Sequence, residues 1–295
     1  MEMTKEIVQK KEKYQSFWGQ LFTELRKNKM AMVSFFVLVT LIAACIFVPI
    51  FSSHDIVTTN PSYANMPPDS THWLGTDHLG RDFFVRFFYA GRISLTVALV
   101  VTVLTSILGV VLGCISGFYG KFIDTVIQRI NEIFMCIPFL VMCIVVAAFF
   151  GSSIPVLITI LTILSWSGIC RIVRGQILAL RDLEYMQACE ALGLSDFRRI
   201  FRHMLPNVMA YVIVYATLSM GSVILTETAL SFLGLGIAPP TPSWGTMIQA
   251  ARQVVVLTER WWFWVPSGVA IFTVVMCFNL IGDAMRDALD PKMKR

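Results

Sequence analysis

Residues 171–207 read RIVRGQILALRDLEYMQACEALGLSDFRRIFRHMLPN. This charged stretch interrupts a chain that is otherwise strongly apolar. Asp182 stands where an N-cap is needed, and Glu184 falls in the first turn, where the helix dipole favours an acid. Gly193 suits the C′ position that ends a helix. These signals predict a short helix over 183–192. Ser195 can cap a second. Phe197, Ile200, Phe201, Met204 and Leu205 then recur at i, i+3, i+4, i+7 and i+8, which makes one apolar face. Arg198, Arg199 and Arg202 fall off that face. Pro206 follows, at the opening of the next apolar run, where its missing N–H costs little. Two helices joined by a glycine corner form a knuckle able to carry a push from a partner protein to the segments on either side.

The rest of the chain explains what that knuckle interrupts. Of 295 residues, 56% are hydrophobic and only 15% are charged, against roughly 25% charged in an average soluble domain. The charges are gathered into blocks. Between them run apolar segments at 30–51, 93–120, 133–170, 207–226 and 261–281. About 20 apolar residues cross a ~30 Å hydrocarbon core as a helix. The run 133–170 is long enough for two crossings, with Gly151, Ser152, Ser153 and Pro155 at the break. The expectation is an all-α membrane protein with six transmembrane helices. Pro138 is expected to kink the third. The first run is too long for a signal-peptide core and has no clear cleavage site, so it reads as a retained anchor.

Lysine and arginine counts set the orientation. The blocks 1–29, 118–132, 171–206 and 282–295 hold 19 of the 24 basic residues, and 52–92 and 231–262 hold the other five. The basic side is the cytoplasm. Both termini and the knuckle are therefore expected inside. The net charge of +5 is topological on this reading, and nucleic acid is not an expected partner. The resulting division is a cytoplasmic tail (1–29), an anchor helix (30–51), an extracytoplasmic loop (52–91), a core with five spans (92–282) and a cytoplasmic tail (283–295). In the first tail Phe17, Trp18, Leu21, Phe22 and Leu25 recur at helical spacing and suit the inner membrane surface.

Several residues carry smaller expectations. Gly109, Gly113 and Gly117 form a small-xxx-small ladder for close helix packing. Glu227 lies near the outer end of the fifth span, where a carboxylate must face protein or water. It is a candidate for a transport path or outer gate, against a structural hydrogen bond to the turn near Gly234 and Gly236. Asp77, Arg81 and Asp82 suit a loop-ordering network or a contact with an external protein. His54, His72 and His78 share the outer loop without tight ligand spacing, so no metal is expected. The seven cysteines show no CxxC spacing and read as packing residues. Pro239, Pro240 and Pro242 forbid a continuous helix there. A short helix is expected near 247–254. Trp261, Trp262 and Trp264 suit an interfacial belt.

Phosphate-loop, GxSxG and HExxH motifs are all absent. Gly120-Lys121 is followed by Phe122. An ATPase, hydrolase or metalloprotease built into this chain is not expected, and no cofactor is expected on it. An ion-coupled carrier or channel acting alone is the competing class. It would need ionisable residues along a path, and Glu227 alone qualifies.

The knuckle resembles the EAA loop of ABC importer permeases, whose pattern is E-A-A-x3-G-x9-I-x-L-P. Here Gln187, Ala188, Cys189, Gly193, His203, Leu205 and Pro206 stand at the matching positions, with Gln187, Cys189 and His203 as departures. Glu184 and Glu190 flank the site and put a carboxylate within one turn of Gln187. Three further stretches resemble the C-type inner-membrane subunit of the peptide/nickel importer group: LGTDHLGRDFFVRFFYAGRISL from Leu74, ETALSFLGLGIAPPTPSWGTMI from Glu227, and FNLIGDAMRDALDPK from Phe278. The resemblance implies a type I ABC importer transmembrane fold in the bacterial inner membrane. It also implies a sister permease subunit as heterodimer partner, two cytosolic ATPase subunits that bind ATP and Mg, and an extracytoplasmic binding protein that delivers peptide. Nickel or another small solute is the alternative cargo.

Overall fold

The computed structural model describes residues 25–289. The expected amphipathic stretch around Phe17, Trp18, Leu21 and Phe22 lies outside them. Among the described residues the secondary structure is helical, apart from one isolated antiparallel bridge between Thr76 and Asp82.

Five helices are long and apolar enough to cross a membrane. They are α1 (Lys29–Phe51), α2 (Phe83–Tyr119), α5 (Ile154–Arg181), the rod α7 (Asp196–Phe232) and the last, Trp261–Leu289, whose regular part is α10 (Val265–Leu289). Two shorter helices, α3 (Lys121–Cys136) and α4 (Phe139–Phe150), pass the same test only when taken together, and they are bent by 87°. The bend falls at Ile137-Pro138. Proline blocks the ladder bond to the preceding turn and pushes the residue before it into extended backbone, and Ile137 has ψ 130°. The kink expected at Pro138 is thus a full corner between two helices. The break expected between the third and fourth crossings is present. Gly151 takes φ +80° at the end of α4, Ser153 caps α5 through its hydroxyl, and Pro155 sits in the first turn.

Two boundaries differ from expectation. The second crossing begins at Phe83, ahead of residue 93, because Asp82 Oδ1 accepts the Val85 N–H at 2.9 Å and caps the helix. The last helix runs to Leu289, through residues expected to be tail.

The core is a bundle in which α2 and α5 share the most extensive interface, with α7 packed on α2, α5 and α10. The glycine ladder makes the α2–α5 approach possible. A Cβ on Gly113 would lie 2.7 Å from the Cys170 carbonyl oxygen, and one on Gly117 would lie 2.8 Å from the Ile177 Cβ. One on Gly109 would overlap the Ile169 side chain. Beyond α7 the chain forms a proline-rich loop, a short helix α8 (Trp244–Gln249) with a Ser243/Thr246 capping box, and α9 (Val254–Glu259). The helix expected near 247–254 is therefore two helices, with a tighter turn at Ala250–Arg252 between them. Trp262 is buried in the bundle and Trp261 is exposed. Cys45, Cys114, Cys143, Cys170 and Cys277 are buried, and all seven thiols are free.

Candidate functional site

The charged stretch 171–207 folds into three parts. The first is the end of α5, which continues to Arg181. Asp182 is the C-cap of α5, and Leu183 takes the N-cap position of the next helix with no side-chain cap bond. The expected Asp182 N-cap is therefore displaced, because α5 runs about three turns beyond the end of its apolar run.

The second part is α6 (Glu184–Ala191). Met186 anchors it, fully buried among Val173, Ile177, Met204 and Phe118. Its end is a Schellman motif. The Gly193 N–H donates to the Glu190 carbonyl at 2.9 Å, and the Leu194 N–H to the Cys189 carbonyl at 3.1 Å. Gly193 holds φ +71° with nothing near the place of a Cβ. Its demand is conformational rather than spatial, since an L side chain there strains the backbone.

The third part corrects the idea of a separate second helix. Asp196–Arg198 is one α turn, Arg199–Met204 winds as a π-helix, and Leu205–Phe232 continues without a break. Pro206 is the physical reason for the π turn. It has no N–H for the Arg202 carbonyl, and its ring crowds that group. Looser winding relieves both problems without ending the rod.

The expected apolar face is also divided. Ile200 and Met204 are buried, while Phe197 and Phe201 are exposed as a ring pair 4.4 Å apart. Arg199 turns inward, contrary to expectation. Its Nη2 donates to Glu190 Oε2 at 2.7 Å, its Nη1 lies 3.5 Å from Asp196, and its guanidinium lies over the Phe118 ring. This clamp joins α6 to the start of α7 and thereby fixes the corner at Gly193. Glu190 is thus committed within the loop. Glu184 is exposed in the first turn of α6. Gln187 is exposed, and its amide reaches the Asp182 carbonyl at 3.3 Å. Ala188 is exposed beside it, and Cys189 is half-buried. Leu205 is half-buried and Pro206 exposed. Leu183, Tyr185, Leu192, Phe197 and Phe201 leave a largely apolar surface uncovered.

Glu227 is sealed at the opposite end of α7, 1% exposed. Its Oε1 accepts from Ser231 and Ser243 at 2.8 Å each, and its Oε2 from Ser94 at 3.3 Å. The Ser94 oxygen also accepts the Trp244 N–H at 3.1 Å. The carboxylate therefore ties α2, α7 and the start of α8 together. Its partners are serine hydroxyls rather than the backbone turn at Gly234 and Gly236.

A cavity of about 310 Å³ opens between α2, α5 and α7. Thr105, Ser165, Ser167, Ser219 and Ser222 contribute to its wall. The buried hydroxyls of Thr102, Thr105 and Ser167 have no protein partner. The sequence hid this site, because its residues lie on three helices and look like ordinary small packing residues.

Asp77, Arg81 and Arg86 form a buried loop network. Arg81 Nε donates to Asp77 Oδ2 at 2.7 Å, and Arg86 donates to the Ile56 carbonyl at 2.6 Å. Asp82 belongs to a neighbouring cluster with His72, whose Nδ1 lies 2.8 Å from Asp82 Oδ2. His78 is not part of it.

Residues 109–295 match the family described as binding-protein-dependent transport system inner membrane component. The chain belongs to that family. Residues 16–68 match the N-terminal transmembrane domain of oligopeptide transport permease C. The chain is 40% identical over 277 residues to the dipeptide transport system permease protein DppC of Alkalihalophilus pseudofirmus, covering 94% of this chain and 90% of that protein. It is also 40% identical to the oligopeptide transport system permease protein OppC of Bacillus subtilis, covering 95% and 91%. Among solved structures, an inward-facing MetNI methionine ABC transporter superposes with TM-score 0.55 at 16% identity, over 70% of this chain and 97% of that one. That likeness establishes the shared fold, that of a type I ABC importer permease. The protein is a multi-pass permease of the inner membrane.

Proposed function

We propose that this chain is one of two membrane subunits of an ATP-driven importer for peptides. The sister permease completes the translocation path, an extracytoplasmic binding protein delivers the cargo, and two cytosolic ATPases bind ATP and Mg and power the cycle. The names of the relatives, dipeptide and oligopeptide permeases, support the cargo class. The charge count supports cytoplasmic termini and a cytoplasmic loop.

The observation that carries the proposal is the build of the loop. Its inner side is locked by Met186, Met204 and the Arg199–Glu190 clamp, while Leu183, Tyr185, Leu192, Phe197 and Phe201 face outward. An apolar patch on a rigid support is what a partner's groove can grip and push. Glu184, Gln187 and Ala188 rim that patch. With Glu190 held by Arg199, Glu184 is the one of the two glutamates flanking Gln187 left to meet the ATPase. The cavity supports a route for peptide. Hydroxyls donate and accept, so they can serve peptide bonds whatever side chains those bonds carry.

Replacing Gly193 with valine is the direct test. The corner then loses its left-handed residue, while nothing nearby is displaced. Uptake should fall at least about tenfold, with the complex still assembled and its ATPase no longer stimulated by loaded binding protein. Normal uptake with normal stimulation would remove the coupling role. Glu184→Gln and Glu190→Gln separate the two carboxylates. The first should weaken recovery of the ATPase with the membrane subunits. The second should instead lower thermal stability by about 1 kcal/mol, as expected for a half-exposed ion pair.

A further inference from the structure

The loop between α1 and α2 gathers three metal-binding side chains that sequence spacing keeps apart. His54 follows the end of α1, His72 lies midway, and Asp82 caps α2. One donor atom from each falls within 4.8 Å of the others. The two imidazole rings are 5.2 Å apart, and the His72–Asp82 separation is 2.8 Å.

We propose that His54, His72 and Asp82 bind one zinc-class divalent cation. Two imidazole nitrogens and one carboxylate oxygen are the donor set of a three-ligand zinc site, with bonds of about 2.0–2.2 Å. Calcium and magnesium prefer all-oxygen shells, which two histidines do not supply. The support is already in place for two ligands. Asp82 Oδ1 is fixed by the Val85 N–H at 2.9 Å, which leaves Oδ2 aimed at His72. The backbone N–H of His72 is held by Asp69 Oδ1 at 2.6 Å. Such outer contacts orient ligands before the cation arrives.

His54 is the adjustable member. It is exposed, whereas His72 is half-buried and Asp82 is buried. A tetrahedral shell needs donor atoms about 3.4 Å apart, so the His54 side chain must swing in and the His72 and Asp82 donors, now 2.8 Å apart, must part slightly. Tyr63 covers one side of His72, with ring centroids 5.9 Å apart. The fourth position faces solvent beside His54 and takes water. The bound cation would clip the end of α1 to the start of α2, beside the Asp77–Arg81–Arg86 network and the backbone bonds that already order the loop. This site is distinct from both the coupling loop and the hydroxyl cavity.

The test uses the full-length chain, purified through a tag that contains no histidine and stripped with chelator. Zinc is titrated against a fluorescent chelator and counted by elemental analysis. Wild type should hold one more zinc per chain than the His54→Ala/His72→Ala double variant. Its melting temperature should rise with zinc, and magnesium or calcium in excess should not displace the ion. His54→Gln alters an exposed side chain and should weaken binding about 100-fold. Asp82→Asn keeps the helix cap and should weaken it similarly. His78→Ala should bind like wild type. Equal zinc content in wild type and the double variant would overturn the site, as would displacement by calcium or an unchanged affinity in His54→Gln.

Discussion

Replacing Gly113 with leucine is expected to abolish the folded subunit. A Cβ at this position would stand 2.7 Å from the Cys170 carbonyl oxygen and 2.8 Å from the Val173 Cβ. The nearest obstacle is backbone, so no rotamer change relieves it. α2 and α5 must separate, and their interface is the largest in the bundle. Overpacking a well-fitted core costs about 1–3 kcal/mol where side chains can give way. Here they cannot, and the cost should exceed about 3 kcal/mol. Detergent-extracted protein should run as aggregate in size-exclusion chromatography, with no cooperative melt. Gly175→Ala is the control. It lies on α5, with nothing within 4 Å of its Cβ position, and should behave as wild type. A monodisperse, active Gly113→Leu protein would show that the two helices are not held at this distance.

Glu227→Ala should be the next most damaging change. Three buried hydroxyls, on Ser94, Ser231 and Ser243, converge on this carboxylate. Removing it strands donors that water cannot reach, each at about 1–3 kcal/mol. The losses overlap because the groups act together, so a total of about 3 kcal/mol is expected. Glu227→Gln keeps one acceptor oxygen and most of the shape, and should lose about half as much. Thermal unfolding in detergent would read both. A gate residue on an open path would behave differently. Its alanine variant would melt like wild type and change uptake alone. The burial of Glu227 favours the latch, which joins α8 and its proline loop to the main bundle.

The parts of the fold legible in the sequence were those with local causes. Apolar run length sets the crossings, and a single proline sets the corner at 138. Gly151, Ser153 and Pro155 mark a helix stop and start within five residues. Gly193 announces its left-handed backbone because few other residues tolerate one. The errors share an origin in tertiary contact. Arg199 falls off the apolar face of its helix by spacing, yet Glu190 and the Phe118 ring draw it inward. Asp182 has the chemistry of an N-cap and is a C-cap because α5 propagates right up to it. The His54–His72–Asp82 group and the hydroxyl cavity depend on residues brought together by folding, and spacing along the chain carries no trace of that.

The unbroken course of α7 has a mechanical meaning. A helix of 37 residues is about 55 Å long at 1.5 Å per residue. Its first turns sit in the loop proposed to meet the ATPase, and its last turns hold Glu227. Were the partner-facing end pivoted by about 5°, the far end of a rod that long would travel about 5 Å. A separate second helix would have absorbed such a tilt in the joint. With the π turn preserving continuity through Pro206, a small push on Phe197 and Phe201 would arrive at the Glu227 end of the rod as displacement of the latch itself.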